Sequence, residues 1–421
     1  MWTFNYAVNT LSLLLASVLV MCFVAGTALV SAGSVREKNS VDQLTKCIVL
    51  AAIGSLVFIF VGYGTMFSSF ASANLYWPSF KFGEHDLLQL ITTAQLPVLA
   101  HVFLLAQFAG IPLIIIASAT AERFKPWVLW LFALLFAGLI YSVLGFWVWG
   151  GGFLEKLHFI DAAGSGVIHL AGAVAALIAV LLLGPRLGRF DKNKSSVMRG
   201  ANLTLGVIGI WLVWLSSVGI NVNSGWMFTN VTFFNSPLGL AGIMQTLAIA
   251  ALNTQMSIVG SVLAAVIVLR IFSGTVDLTI ILNAVVVGIV ALAASAITPS
   301  MTGAFLIGAV GGILLVLAIL LFEKFKIDDP VGAIAAHGVG GLWGLLAAVM
   351  SQDYVMLSSL HKEVWSWPQQ LTAQLIGIGS IIVWVAVSSL ILLLLFKYLV
   401  GIRISATVEY KGLDAVEYGG A

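Results

Sequence analysis

Apolar residues in this chain come in long unbroken runs separated by short breaks. Eleven runs stand out, roughly residues 8–31, 48–70, 91–119, 127–149, 160–184, 201–222, 237–270, 278–296, 303–322, 332–350 and 369–399. A helix needs about 20 apolar residues to cross a hydrocarbon core about 30 Å thick. Within hydrocarbon each backbone polar group must be satisfied inside its own segment, so runs of this length predict helices. The longest ones are expected to tilt or to reach into the interface. The pattern therefore predicts an all-α integral membrane protein. Its membrane domain would cover residues 1–400, and a short polar tail would cover 401–421.

Composition sharpens this. Of 421 residues, 61% are apolar and only 9% charged, where a soluble chain carries about 25% charged residues. The net charge of +2 is too small to point to nucleic acid. Cys22 and Cys47 show neither metal-ligand spacing nor a disulfide framework. Leu11–Val30 is not preceded by a positive charge, and Arg36 and Lys38 follow it. It reads as a retained first span with its N-terminus outside, not as a signal peptide. On that orientation, 16 of the 19 basic residues fall on the cytoplasmic side, and only Lys81, Lys156 and Lys362 fall outside. The bias obeys the positive-inside rule and places the C-terminus in the cytoplasm.

Ionisable groups within apolar spans are costly and mark function. Two stretches share one arrangement. Asp161 precedes His169 by eight residues, and Asp329 precedes His337 by the same interval, with small residues around both. The fifth span runs inward and the tenth outward, so the two elements are inverted relative to each other. This predicts two five-helix inverted repeats plus a final long helix, a construction that places a transport site near the midplane. Eight helical residues rise about 12 Å, which brings both imidazoles near the membrane centre. There they can share a hydrogen bond, offer polar contacts in a dry channel, or relay a proton. A lone buried histidine is usually a packing residue, whereas a matched inverted pair points to function. Asp161 and Asp329 stand at helix N-termini, where carboxylates cap free N–H groups. Asp161 can also lend a negative potential that recruits a cation. An intramembrane enzyme is disfavoured, because no nucleophile stands beside a base and no complete metal set is present.

The segment Trp147-Val148-Trp149-Gly150-Gly151-Gly152, followed by Asp161 to Gly172, resembles a signature of the Amt/Mep/Rh ammonium transporter superfamily. Asp328 to Gly341 resembles its second signature. Similarity continues at Arg36–Asn39, Ala121–Arg123, Leu282-Asn283 and Gly412–Asp414, and so spans nearly the whole chain. The short tail and the Trp-rich fourth span resemble the bacterial and archaeal Amt branch. The resemblance implies a homotrimer in the inner or plasma membrane, one pore per subunit, and neither cofactor nor metal. Trp149 and Ser224 match residues that bind ammonium in an outer vestibule. Phe108, fourteen residues before Glu122, matches the outer gate. His169 and His337 match a twin-histidine pair, and Tyr141 and Trp214 are further vestibule candidates. The tail from Lys411 to Tyr418 resembles a regulatory tail that can bind PII-type signalling proteins.

Physical chemistry fits these implied roles. A cation over an indole face gains about 0.5–2 kcal/mol. The intact ion is too costly to take into a dry pore, and neutral ammonia is far less so. Deprotonation at the outer gate followed by passage of ammonia is thus the expected route. Two departures stand out. Ile220 occupies the position of the family's second gate phenylalanine, where it keeps the path apolar but offers no π face. Ser31-Ala32-Gly33-Ser34 replaces the usual aromatic and paired glycines. These leave an ammonium sensor of the same fold, with little flux, as the alternative. A channel for another small neutral molecule is a third reading.

Overall fold

The computed structural model describes residues 2–68, 74, 76–80, 98–191, 194–222, 239–350 and 366–419. Through them run α1 (Tyr6–Ser34), α2 (Glu37–Met66), α3 (Val98–Ala119), α4 (Pro126–Lys156), α5 (Ser165–Leu183), α6 (Leu203–Asn221), α7 (Leu247–Ser273), α8 (Leu278–Ala293), α9 (Met301–Lys324), α10 (Ala335–Met350) and α11 (Trp367–Leu399). Nine of these are long and apolar enough to cross a membrane; α8 and α10 are shorter. Two short helices, α12 (Ala406–Lys411) and α13 (Leu413–Glu417), form the tail. Among the described residues, strand pairing is limited to Phe190–Asp191 with Lys194–Ser195 and a bridge from Phe124 to Arg403.

Small residues decide how closely the helices pack. Where α1 crosses α6, a Cβ built on Gly26 would lie 2.5 Å from Gly209 O, and one on Gly209 would lie 2.5 Å from Gly26 O. Only hydrogen fits on either side, which is how helices approach in a bilayer. At the centre lies α8, buried from Leu282 to Ala293. Its carbonyls accept side-chain hydrogen bonds from three neighbours: Ser165 Oγ to Val290 O (2.7 Å), Asn221 Nδ2 to Ile289 O (3.2 Å), Ser257 Oγ to Gly288 O (2.7 Å) and Ser261 Oγ to Ala284 O (2.7 Å). In membranes such bonds contribute about 0.6 kcal/mol each on average. They matter more for register than for strength.

Among the described residues, four π-helical turns interrupt the spans: Phe58–Gly62 in α2, Phe136–Tyr141 in α4, Ser165–Leu170 opening α5 and Ala335–Val339 opening α10. A π turn inserts one residue and re-aims the side chains around it, and it is frequent at functional sites. Both histidines predicted to matter sit in such turns. The helices carrying them begin later than their apolar runs. Gly164 (φ +88°) and Gly332 (φ +79°) turn the chain in the left-handed region, so Asp161 and Asp329 stand outside the first turn and look back onto it.

Candidate functional site

Each aspartate holds the opening turn of a histidine-bearing helix. Asp161 Oδ2 accepts from Gly166 N (3.0 Å) and Val167 N (2.8 Å). Asp329 accepts from Ala333 N (3.0 Å), Ile334 N (2.8 Å) and Ala335 N (3.1 Å). These are N–H groups that a helix start leaves without a partner. Gly341 lets the two helices close up, since a Cβ there would lie 2.5 Å from Ser165 O.

The two imidazoles meet. His337 Nδ1 and His169 Nδ1 are 3.1 Å apart, with the ring planes 16° from parallel. Both side chains are buried. A hydrogen bond between two neutral rings needs one Nδ1 to carry a proton and the other to be bare. The donor ring then has a bare Nε2 and the acceptor ring an Nε2–H. The pair thus offers one acceptor and one donor to a small molecule. His169 Nε2 has no partner among the described residues.

Phe23 of α1 completes this layer, and the sequence reading missed it. Its ring centroid lies 6.0 Å from that of His169 and 6.3 Å from that of His337. Nothing local separates it from the other phenylalanines among the chain's 25; only the packing of α1 against the bundle brings it there. Phe108 and Ile220 are buried in the same apolar core as Phe23. Trp149 is half-buried, and its Nε1 donates to Asp161 O at 2.8 Å. Tyr141 is buried beside Phe58 (6.1 Å), and its hydroxyl has no partner among the described residues. Trp214 is half-buried, stacks on the exposed Trp211 (5.3 Å) and donates to the exposed Gln255 Oε1 (2.8 Å). Ser224 lies outside the described residues.

A buried ionic hub closes the charged end of the bundle. Glu122, in the α3–α4 turn at φ +70°, accepts from Arg36 Nε, Asn39 Nδ2 (3.1 Å) and Arg186 Nη1 (2.5 Å). Asp328 accepts from Arg186 N (2.8 Å), Nε (2.9 Å) and Nη2 (3.0 Å). Burial alone would raise the Asp328 carboxyl, but the hydrogen bonds and charge of Arg186, with Arg123, hold it at about 2. The tail docks against this hub. Glu409 accepts from Leu187 N (2.7 Å) and Arg403 Nη2 (2.8 Å), and Asp414 accepts from Val41 N (3.0 Å) and Asp42 N (2.8 Å).

Residues 11–421 match the model of the Ammonium Transporter Family. The chain belongs to the ammonium transporter family. A Synechocystis sp. relative with ammonium transporter in its name is 32% identical over 99% of this chain and 89% of that one. The ammonium transporter Amt2 of Archaeoglobus fulgidus is 29% identical over 96% of this chain and 86% of its own. A solved structure named "Sensor Amt Protein" superposes with a TM-score of 0.89 at 27% identity, over 99% of this chain and 100% of that chain. Like the family, the chain is an all-helical, multi-pass membrane protein.

Proposed function

We propose that this ammonium transporter family member carries ammonium across the inner or plasma membrane by passing ammonia along the His169–His337 pair. The observation that carries this reading is the buried Nδ1–Nδ1 contact of 3.1 Å in an otherwise apolar core. Ammonia is both donor and acceptor, and a neutral pair presenting one bare Nε2 and one Nε2–H matches it on both counts. The intact ion has four donors and no acceptor, so it leaves the Nε2–H unmatched and carries its full desolvation cost. Recruitment is assigned to Trp149 and Ser224, with Trp149 held by Asp161. Gating is assigned to Phe108 and Ile220, with Ile220 acting through shape alone.

Eleven spans, N-terminus outside and C-terminus inside, go with this reading, as do two inverted five-helix halves. The equal Asp-to-His spacing, the paired opening turns and the reciprocal Gly26–Gly209 contact support the inversion. A homotrimer is supported by Gln255, a polar group on the exposed face of an apolar helix, which a second copy would cover. The tail over 401–421 is the surface assigned to a PII-type partner. A second reading, ammonium sensing with little flux, is favoured by the likeness to the structure named as a sensor and by Ile220.

The test is internal pH in proteoliposomes after an ammonium pulse, set against protein-free vesicles and Trp149→Leu protein. Faster alkalinisation with the parent, lost at low ammonium in the variant, supports transport. Ammonium binding by calorimetry with alkalinisation no faster than in empty vesicles would sink transport and leave sensing.

A further inference from the structure

A third histidine lies on the face of α3 that carries Phe108. His101 precedes Phe108 by seven residues, two helical turns, so the two side chains leave the same face about 10 Å apart. The direction is away from the Glu122 hub, which follows the other end of α3. Between them the same face carries Leu104 and Leu105, both buried. His101 is only half-buried. Its Nδ1 lies 3.2 Å from Tyr63 Oη of α2. Its ring centroid is 5.7 Å from that of Tyr63 and 5.5 Å from that of Phe67, and those two rings are 4.9 Å apart. This cluster adjoins Trp149. Met66 sits between Tyr63 and Phe67, and its carbonyl approaches Gly150, the residue after Trp149, so closely that a Cβ on Gly150 would lie 1.7 Å from it.

We infer that His101 is a second ammonium contact at the mouth of the pathway, its Nε2 accepting an N–H of the ion beside the rings of Tyr63 and Phe67. The inference rests on the ammonium reading above. With Nδ1–H donated to the tyrosine oxygen, the lone pair of the neutral ring is left on Nε2, which has no partner among the described residues. A second group that holds one nitrogen decides what the other can do. Aromatic rings within about 6 Å stabilise a cation by their π faces. The order along the face is then a polar contact, two leucines and the buried Phe108. An ion can be held at the first step and meets an apolar barrier at the next.

The test is calorimetric binding of ammonium and methylammonium to full-length protein, with melting temperature measured alongside. His101→Leu is expected to weaken binding of both about tenfold, the size of a hydrogen bond to a charged group, with melting temperature unchanged. His101→Gln, which retains an acceptor oxygen, is expected to bind within about threefold of the parent. Tyr63→Phe, which frees Nδ1, is expected to fall between them and decides the matter if His101→Leu fails to fold. Parent-like binding in His101→Leu or in Tyr63→Phe overturns the assignment. So does a loss of binding equal in the Leu and Gln variants and accompanied by earlier melting, which marks a packing role. If the parent itself binds no ammonium, the ammonium reading falls as well.

Discussion

Asp328→Asn removes one carboxylate from the ionic hub and leaves its volume in place. In the parent, Asp328 takes three hydrogen bonds from Arg186 and lies near Arg123 and Arg189, with Nη1 at 3.8 Å and Nε at 3.7 Å. An amide turned toward Arg186 sets N–H against N–H at one of those contacts. The carboxyl is held at about 2 in the folded chain against its usual 3.8, and at 1.36 kcal/mol per unit this difference is roughly 2 kcal/mol of folding free energy. Breaking a buried pair on one side also strands the partner, and the total rises to about 3–5 kcal/mol. The sign with pH follows. A depressed carboxyl stabilises fully above 3.8, and the stabilisation is lost as pH falls through about 2. Denaturant unfolding in mixed micelles should place Asp328→Asn several kcal/mol below the parent at pH 7 and pH 5. The gap should narrow by about 2 kcal/mol toward pH 2. A variant within about 1 kcal/mol of the parent at pH 7, or a gap that does not move with pH, would refute the reasoning.

Gly209→Ala should lower the melting temperature, because its Cβ starts 2.5 Å from Gly26 O and the helices must part by nearly 1 Å, a strain of about 1–3 kcal/mol. An unchanged melting curve would show that α1 and α6 do not cross as described. Asp414→Asn weakens the hold of the tail on Val41 N and Asp42 N, and limited trypsin digestion should then cut at the exposed Lys411 several times faster. Equal cutting rates would mean that the tail is held elsewhere.

The architecture was largely legible because lipid imposes a coarse rule: each apolar run became a helix. The limits of that rule show at α5 and α10. The run of α5 takes in Asp161–Gly164 and that of α10 opens at Gly332, where left-handed glycines and the capping carboxylates of Asp161 and Asp329 delay the helix. Hydropathy registers none of this, because glycine, alanine and valine read alike in turn and helix. The histidine pair was visible because its spacing from aspartate repeats. Its Nδ1–Nδ1 contact was not, since the π turns that aim the rings leave no compositional trace. Phe23 and the hub around Glu122 depend on contacts between residues far apart in the chain. Arg36, Glu122, Arg186 and Asp328 look like ordinary loop charges until four connections converge.

The central claim is that the His169–His337 pair lies on the conducted path. The most direct measurement is the current and the internal pH of proteoliposomes after one ammonium pulse, recorded together for the parent and for His337→Ala. An ammonium-dependent signal in the parent whose size, or whose division between current and pH change, shifts in the variant is the predicted result. Parent and variant traces that superimpose across ammonium concentrations would contradict it.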